Sequence, residues 1–332
     1  MGKIKIGVIG TGHLGKFHIK MLKQIADCEV VGIFDAKPEV AKQAGEELNV
    51  KPFDSLDELL NVIDSVSIAA ITGAHYELAK KCLLKGLHVF LEKPITAGID
   101  EAEEIVKIAA DKKLKLQVGH IERFNPALIS LEKYIIEPMF IQTDRLAQFN
   151  PRGTDVAVVL DLMIHDIDII LSLIKSEVKD IQASGVAVVS NNIDIANARI
   201  EFENGAVANV TSSRISQKRM RKMRIFQRDN YIALDFITGV SEVYRLVPLE
   251  EKVNSGYISF GEIGIDGLKK QVVYEQPEIK GINALEYELE LFIKAIINDQ
   301  NPVVSGMDGL RALKVAGLIV DKIKESHKAI NL

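Results

Sequence analysis

Apolar residues set a repeating pattern along the first 120 positions. Lys3, Ile4, Lys5, Ile6, Gly7, Val8 and Ile9 alternate and then turn continuously apolar, as a strand does on entering a sheet buried on both faces. Leu14, Phe17, Met21, Leu22 and Ile25 follow at three- and four-residue spacing, the stripe of a helix that covers such a sheet. The theme repeats: 30–34 predicts a strand, 38–48 a helix with Pro38 in its first turn, 55–60 a short helix and 66–70 a strand. Then 75–85 predicts a helix, 89–91 a strand, 100–110 a helix and 114–118 a strand. This alternation is the signature of an α/β fold of Rossmann type, with a doubly wound parallel sheet.

Beyond Gly119 the texture changes. Helical patterns cover 128–136 and 161–174, and short strand patterns then follow one another at 186–189, 198–202, 206–211, 223–226 and 231–234. Turn signals such as Asn191-Asn192, Glu203-Asn204-Gly205 and Asp229-Asn230 separate them, which predicts an α+β domain with a large, mostly antiparallel open sheet. The stretch 253–266 reads as a flexible loop, and helices over 284–298 and 306–325 close the chain. We therefore expect two domains, 1–120 and 121–332. Few helices cover the second sheet, so its open face is expected to build a homodimer or homotetramer.

Composition narrows the class. The 332 residues carry 41 Lys+Arg against 46 Asp+Glu, a net charge of −5 without the basic excess of a non-specific nucleic-acid binder. The basic run Lys218–Arg224 is expected to form a strand with alternate basic residues on its solvent or subunit face. No apolar run approaches a membrane span, and Cys28 and Cys82 have neither disulfide-framework nor zinc-ligand spacing. A cytoplasmic protein with two buried thiols, no metal, no nucleic-acid partner and no membrane is the expectation.

Chemistry enters directly after the first strand. Gly10-Thr11-Gly12-His13-Leu14-Gly15 follows the glycine-x-glycine-x-x-glycine pattern between a strand and a helix, and Asp35 ends the next strand twenty positions beyond Gly15. Gly10 permits the tight turn, Gly12 lets a pyrophosphate approach, and Gly15 lets helix and strand pack closely. The helix N-terminus offers N–H groups to the phosphates. The Asp35 carboxylate suits ribose hydroxyls and repels a 2′-phosphate, so NAD is favoured over NADP, although Lys37 stands two residues on.

Two more motifs fall where this fold holds ligands. Glu92-Lys93-Pro94 ends the fourth strand, beyond whose carboxyl end ligands of open α/β sheets bind. Asp161, His165 and Asp168, four and three residues apart, are expected on one face of an otherwise apolar helix.

The glycine motif, Glu92-Lys93-Pro94 and Asp161…His165, in this order and spacing, resemble the Gfo/Idh/MocA oxidoreductases over essentially the whole chain. In many members a Thr-Pro-Asn turn precedes a histidine; Ile71-Thr72-Gly73-Ala74-His75 keeps only Thr72 and His75. The resemblance implies a nicotinamide site of Gly10–Gly15, Asp35, Thr72, His75, Glu92 and Lys93. It also implies a catalytic group of Lys93, Asp161 and His165, oxidising a sugar carbinol. Residues 118–126 and 161–168 are similar to those of UDP-N-acetylglucosamine 3-dehydrogenases, which implies a nucleotide-sugar substrate. Arg123, Arg145 and Arg152 are then candidates for its diphosphate. Alternatives are an inositol or free-sugar dehydrogenase, and a dinucleotide-binding sensor without turnover.

Overall fold

The computed structural model describes residues 2–150, 156–251, 258–265, 268–279 and 281–329. The chain divides into two compact units, Met1–Phe124 with Ile282–Lys314, and Asn125–Gly281 with Val315–Leu332.

In the first unit β1 (Ile4–Ile9), β2 (Cys28–Phe34), β3 (Ser65–Ile68), β4 (His88–Glu92) and β5 (Leu116–Gly119) form a parallel sheet of order β2-β1-β3-β4-β5. Ile6, Val8, Val66, Ile68, Val89, Phe90 and Leu91 are fully buried, which is why these strands read as unbroken apolar runs. The connections are α1 (His13–Leu22), α2 (Pro38–Leu48), α3 (Leu56–Leu60), α4 (His75–Leu84) and α5 (Ile99–Asp111). Pro38 opens α2, and Asn49 closes it in the left-handed region (φ 51°), donating its N–H to Gly45 O. The chain runs outward from β1 to β2 and returns to β3 on the other side of β1. That reversal opens a crevice at the carboxyl ends of β1 and β3, where this fold binds ligands.

The expected second domain, 121–332, loses 282–314 to the first unit. α8 (Ala284–Ile297), which starts 165 residues beyond β5, belongs to the first unit. Its Leu289, Phe292 and Ile293 are fully buried in one cluster with Ile6, Ile19, Leu22 and Phe90, so the apolar face of α1 is covered by the distant α8.

In the second unit, α6 (Pro126–Ile129) precedes β6 (Phe140–Leu146), and α7 (Ile164–Leu173) leads to β7 (Val178–Val186). β8 (Ile195–Phe202), β9 (Val207–Ser213), β10 (Met220–Gln227), β11 (Asn230–Asp235), β12 (Val240–Pro248), β13 (Ile258–Ile263) and β14 (Lys270–Glu275) follow. The nine strands form one sheet of order β13-β14-β12-β11-β10-β6-β9-β8-β7, antiparallel except for the β6–β9 pair. Ile141, Ala198, Ile200, Ala208, Val210, Met223 and Ile225 line its inner face, on which α7 lies across β6 and β9. The last helix, α9 (Gly306–Ala329), is shared, its residues from Val315 counting with the second unit.

Two local readings change, and the basic run keeps its expected form. The 128–136 helix stops at Ile129, because Leu131 N–H turns back to Leu128 O and Tyr134 N–H to Leu131 O. Part of the expected loop is strand: β13 spans Ile258–Ile263, paired with β14, whereas 252–257 lie outside the described residues. The basic run is a strand whose charges are met across the sheet, Arg224 by Asp144 at 3.4 Å and Lys222 by Asp235 at 3.7 Å.

Candidate active site

The glycine turn in the first unit is built by close approach. Gly10 has φ +85°, and a Cβ there would lie 2.7 Å from Ala69 O; a Cβ on Gly15 would lie 1.8 Å from Gly10 O. Gly15 therefore seats α1 on the turn itself. At Gly12, the N-cap of α1, a Cβ would meet no protein atom within 4 Å. The bare backbone faces a cavity of about 630 Å³ that is also lined by Gly10, Asp35, Lys37, Ala69 and Ile71. Replacing Gly15 with Ala is expected to weaken NADH binding about 10- to 100-fold, the equivalent of about 1–3 kcal/mol of overpacking strain. A fluorescence titration reads this directly.

Asp35 is held at that cavity by its neighbours. Thr11 donates its N–H at 2.7 Å and its hydroxyl at 3.2 Å to Oδ2, and Lys37 N–H donates to Oδ1 at 3.0 Å. Thr11 is fully buried, so its side chain serves Asp35, while His13 and Leu14 are exposed on the first turn of α1. Open backbone at Gly12, a helix N-terminus and a fixed carboxylate fit a dinucleotide. Thr72 sits half-buried in the turn before α4, and His75 is buried with both ring nitrogens facing carbonyl oxygens, Pro94 O at 2.8 Å and Ala70 O at 3.1 Å. His75 thus holds the Lys93-Pro94 turn. Glu92 and Lys93, both half-buried, end β4 at the same edge of the sheet as the glycine turn. Arg123 lies in this unit, 3.8 Å from Asp308.

In the second unit the expected Asp161–Asp168 helix begins as a π turn, Val159–Met163, and becomes α-helical only at Ile164. Widening the turn changes which side chains share a face, and burial divides the expected trio. Asp161 and His165 remain half-buried, whereas Asp168 is 1% exposed. The neighbouring Asp166 is buried with Arg145, which donates Nε to Oδ2 at 3.0 Å and Nη2 to Oδ1 at 2.7 Å. Arg145 is thereby committed to fixing α7 on β6. Its guanidinium also lies 5.9 Å from the centre of the Phe236 ring.

Different arginines meet Asp161. A pocket of about 480 Å³ is lined by Asp161, Gln148, Asn150, Leu162, Arg214 and Arg219. Arg214 is 4% exposed, donates Nη2 to Val156 O at 2.6 Å, and faces Asp194 Oδ1 at 3.8 Å. Burial alone would push Asp194 up. The Ser190 hydroxyl and the N–H groups of Val189, Val188 and Ser190 prevail and hold it at about 2 instead of its ordinary 3.8. A lowered folded-state pKa gives stability present above about pH 4 and lost as pH falls towards 2, worth about 2 kcal/mol. In urea titrations the advantage of wild type over Asp194→Asn should shrink across that window. Arg152 lies outside the described residues.

Comparison with known proteins bears on these two units. Residues 4–120 match the model of the oxidoreductase family with an NAD-binding Rossmann fold, and 141–231 match the Gfo/Idh/MocA C-terminal domain. UDP-N-acetylglucosamine 3-dehydrogenase from Acidithiobacillus ferrooxidans is 35% identical over 314 residues, covering 94% of this chain and 95% of that one. The chain belongs to the Gfo/Idh/MocA oxidoreductase family. Its fold agrees: the solved structure of that dehydrogenase superposes with a TM-score of 0.86 at 33% identity, covering 98% of this chain and 99% of the other. Inositol 2-dehydrogenase from Rhizobium meliloti is more distant, 24% identical over 342 residues, or 98% of each chain.

Membership in the Gfo/Idh/MocA family makes the chain a nicotinamide-dependent oxidoreductase acting on CH–OH groups. Two residues beside these sites carry no local signal in the sequence. Arg214 follows β9 without a motif, and His18 sits in the second turn of α1 with partners 49 and 74 residues away. Among the described residues no helix is long and apolar enough to cross a membrane, and no group of three His, Cys, Asp or Glu is placed to hold a metal ion.

Proposed function

We propose that this enzyme oxidises the 3-hydroxyl of UDP-N-acetylglucosamine to the 3-keto sugar, with NAD as hydride acceptor. The observation that carries the reading is the pocket joining Asp161 to Arg214 and Arg219: a carboxylate for sugar hydroxyls beside guanidinium groups for a diphosphate. The similarity from end to end to a UDP-N-acetylglucosamine 3-dehydrogenase supports it. Arg123 and Arg152 remain further candidates for substrate contact.

Bound in the first unit, NAD supplies an acceptor for the hydride that leaves C3. His165 takes the hydroxyl proton, a step suited to an imidazole, which can accept a proton at one ring nitrogen while the other donates. The Lys93 ammonium hydrogen-bonds the oxygen as negative charge develops there, and Asp161 holds a neighbouring hydroxyl. A dinucleotide held at Gly12 and Asp35 would accept the C3–H pair, and with the O–H proton on His165 the balance is ketone, reduced cofactor and one proton. NAD is the preferred cofactor because the fixed Asp35 carboxylate accepts from ribose hydroxyls and repels a 2′-phosphate. Initial rates with NAD above those with NADP at equal concentration support this preference, and the reverse order refutes it.

The sheet supports a homodimer or homotetramer. Phe140, Phe226, Tyr231, Tyr244, Tyr274 and Phe260 form a chain of ring contacts 4.9–6.2 Å apart across β6, β10, β11, β12, β14 and β13. Phe226 and Phe260 stay 39% and 62% exposed, an apolar stripe that a second copy would cover. Light scattering at micromolar concentration is expected to give at least twice the monomer mass. The cytoplasm suits the two thiols: Cys28 and Cys82 are free and buried, and burial pushes each to about 12. The test of function is the rise in absorbance at 340 nm with NAD and UDP-N-acetylglucosamine. Reduction of NAD by inositol alone would replace the substrate, and tight NAD binding without oxidation of any sugar would favour a sensor.

A further inference from the structure

Two buried histidines bracket Lys93. His18, 0% exposed in α1, places Nδ1 2.8 Å from Ser67 Oγ in β3 and Nε2 3.0 Å from Glu92 Oε1 at the end of β4. A carboxylate only accepts, so Nε2 carries the proton; in the neutral ring Nδ1 then accepts from the Ser67 hydroxyl, and the two contacts select one tautomer. Phe90 meets the ring edge-on, with centroids 5.5 Å apart, and limits its rotation. From the other side Glu92 rests on bare backbone: a Cβ on Gly119 would lie 2.8 Å from Oε1 and 3.1 Å from Oε2. The carboxylate is confined between an imidazole and a glycine.

Glu92 is the residue before Lys93, and Pro94 is the residue after. His75, 1% exposed at the start of α4, has Nδ1 2.8 Å from Pro94 O and Nε2 3.1 Å from Ala70 O. A neutral ring donates to only one carbonyl, and the shorter contact assigns that N–H to Nδ1 and Pro94 O; one histidine therefore fixes the side chain preceding the lysine, and the other holds the carbonyl following it. Their anchors lie three residues apart on one strand and its exit, Ser67 in β3 and Ala70 just beyond its end. Polar groups this deeply buried cost stability unless fully matched, and a turn that only had to close could be closed by apolar packing.

We propose that His18 and His75 are positioning residues for the dehydrogenase reaction: acting through Glu92 and Pro94, they clamp the turn and set the direction in which Lys93 leaves β4. The inference rests on the proposed role of Lys93 at the reacting oxygen. Neither histidine touches substrate in this scheme.

The amide of Asn occupies the place of Nδ1 and that of Gln the place of Nε2, so the two substitutions separate the two contacts of each ring. His18→Asn keeps the Ser67 side and loses Glu92; His18→Gln keeps a donor towards Glu92. In the full-length enzyme His18→Asn is expected to lower kcat at least about tenfold with KM for NAD within about threefold, and His18→Gln to recover most of that loss. At position 75 the order reverses, because Asn reaches Pro94 and Gln does not. Adding Glu92→Gln to His18→Asn should cost no more than about a further threefold, since both changes break one contact.

A role in packing alone predicts losses that follow melting temperature and the same ranking at both positions, and that result overturns the clamp. Crystal structures read it without turnover: Lys93 should leave its native position in His18→Asn and keep it in His18→Gln, and an unmoved Lys93 in both refutes it. Lys93→Met separates the two ideas. If that variant turns over normally, the role given to Lys93 fails; if it is inactive while every histidine variant matches wild type, only the clamp fails.

Discussion

Replacing Lys93 with Met should lower kcat for oxidation of UDP-N-acetylglucosamine by about 10²–10³-fold, the cost of removing one preorganised donor from a developing oxyanion. Methionine keeps an unbranched, flexible stem and deletes the ammonium, so the loss reports the charge and its hydrogen bond. The groups that hold the dinucleotide are untouched: Gly12 stays open to its cavity, and Asp35 stays fixed by Thr11 and Lys37. NADH affinity should therefore change by less than about threefold, since an uninvolved group leaves uniform binding alone. Stopped-flow absorbance with saturating NAD measures the first quantity and a fluorescence titration the second. A variant that loses NADH binding along with turnover would move Lys93 from the chemistry to the cofactor.

Arg145→Met should lower the stability of the protein by about 3–5 kcal/mol, because it strands a buried carboxylate. Arg145 and Asp166 are 2% exposed each and share two parallel hydrogen bonds, which tie the helix bearing His165 to the centre of the nine-stranded sheet. Removing both charges, as in Arg145→Met with Asp166→Leu, should recover most of the loss, since well-packed apolar pairs replace buried ion pairs at little cost. Urea unfolding followed by circular dichroism separates this account from a role at the substrate. A diphosphate ligand would raise KM for the sugar nucleotide and leave the unfolding midpoint where it was.

Much of the first unit was legible because its strands are buried on both faces. Sequences such as Val-Phe-Leu at 89–91 have little other use, and a glycine turn before a helix is a local signal. The second sheet hid strands for the opposite reason. β6 carries Asp144 outward and Arg145 inward, so its inner face is apolar only in part, its charge balanced by an aspartate 21 residues on. β13 is exposed along its whole length and owes its pairing to β14. At the site, Asp161 and His165 were readable as polar breaks in an apolar helix, whereas the π turn was not, and with it went the expected place of Asp168. His18 and Arg214 were silent because their meaning lies in partners far along the chain, as was the role of α8, which completes a core begun 280 residues earlier.

The central claim is that a ring secondary alcohol of a nucleotide sugar gives up its hydride to NAD on this chain. It is tested most directly by mixing the enzyme with NAD and UDP-N-acetylglucosamine bearing deuterium at C3, and following absorbance at 340 nm beside mass analysis of the sugar. The account predicts NADH carrying the deuterium and a UDP-sugar two mass units lighter than the unlabelled substrate. Reduction without deuterium in the NADH, or none with this sugar while inositol reduces NAD, would contradict it.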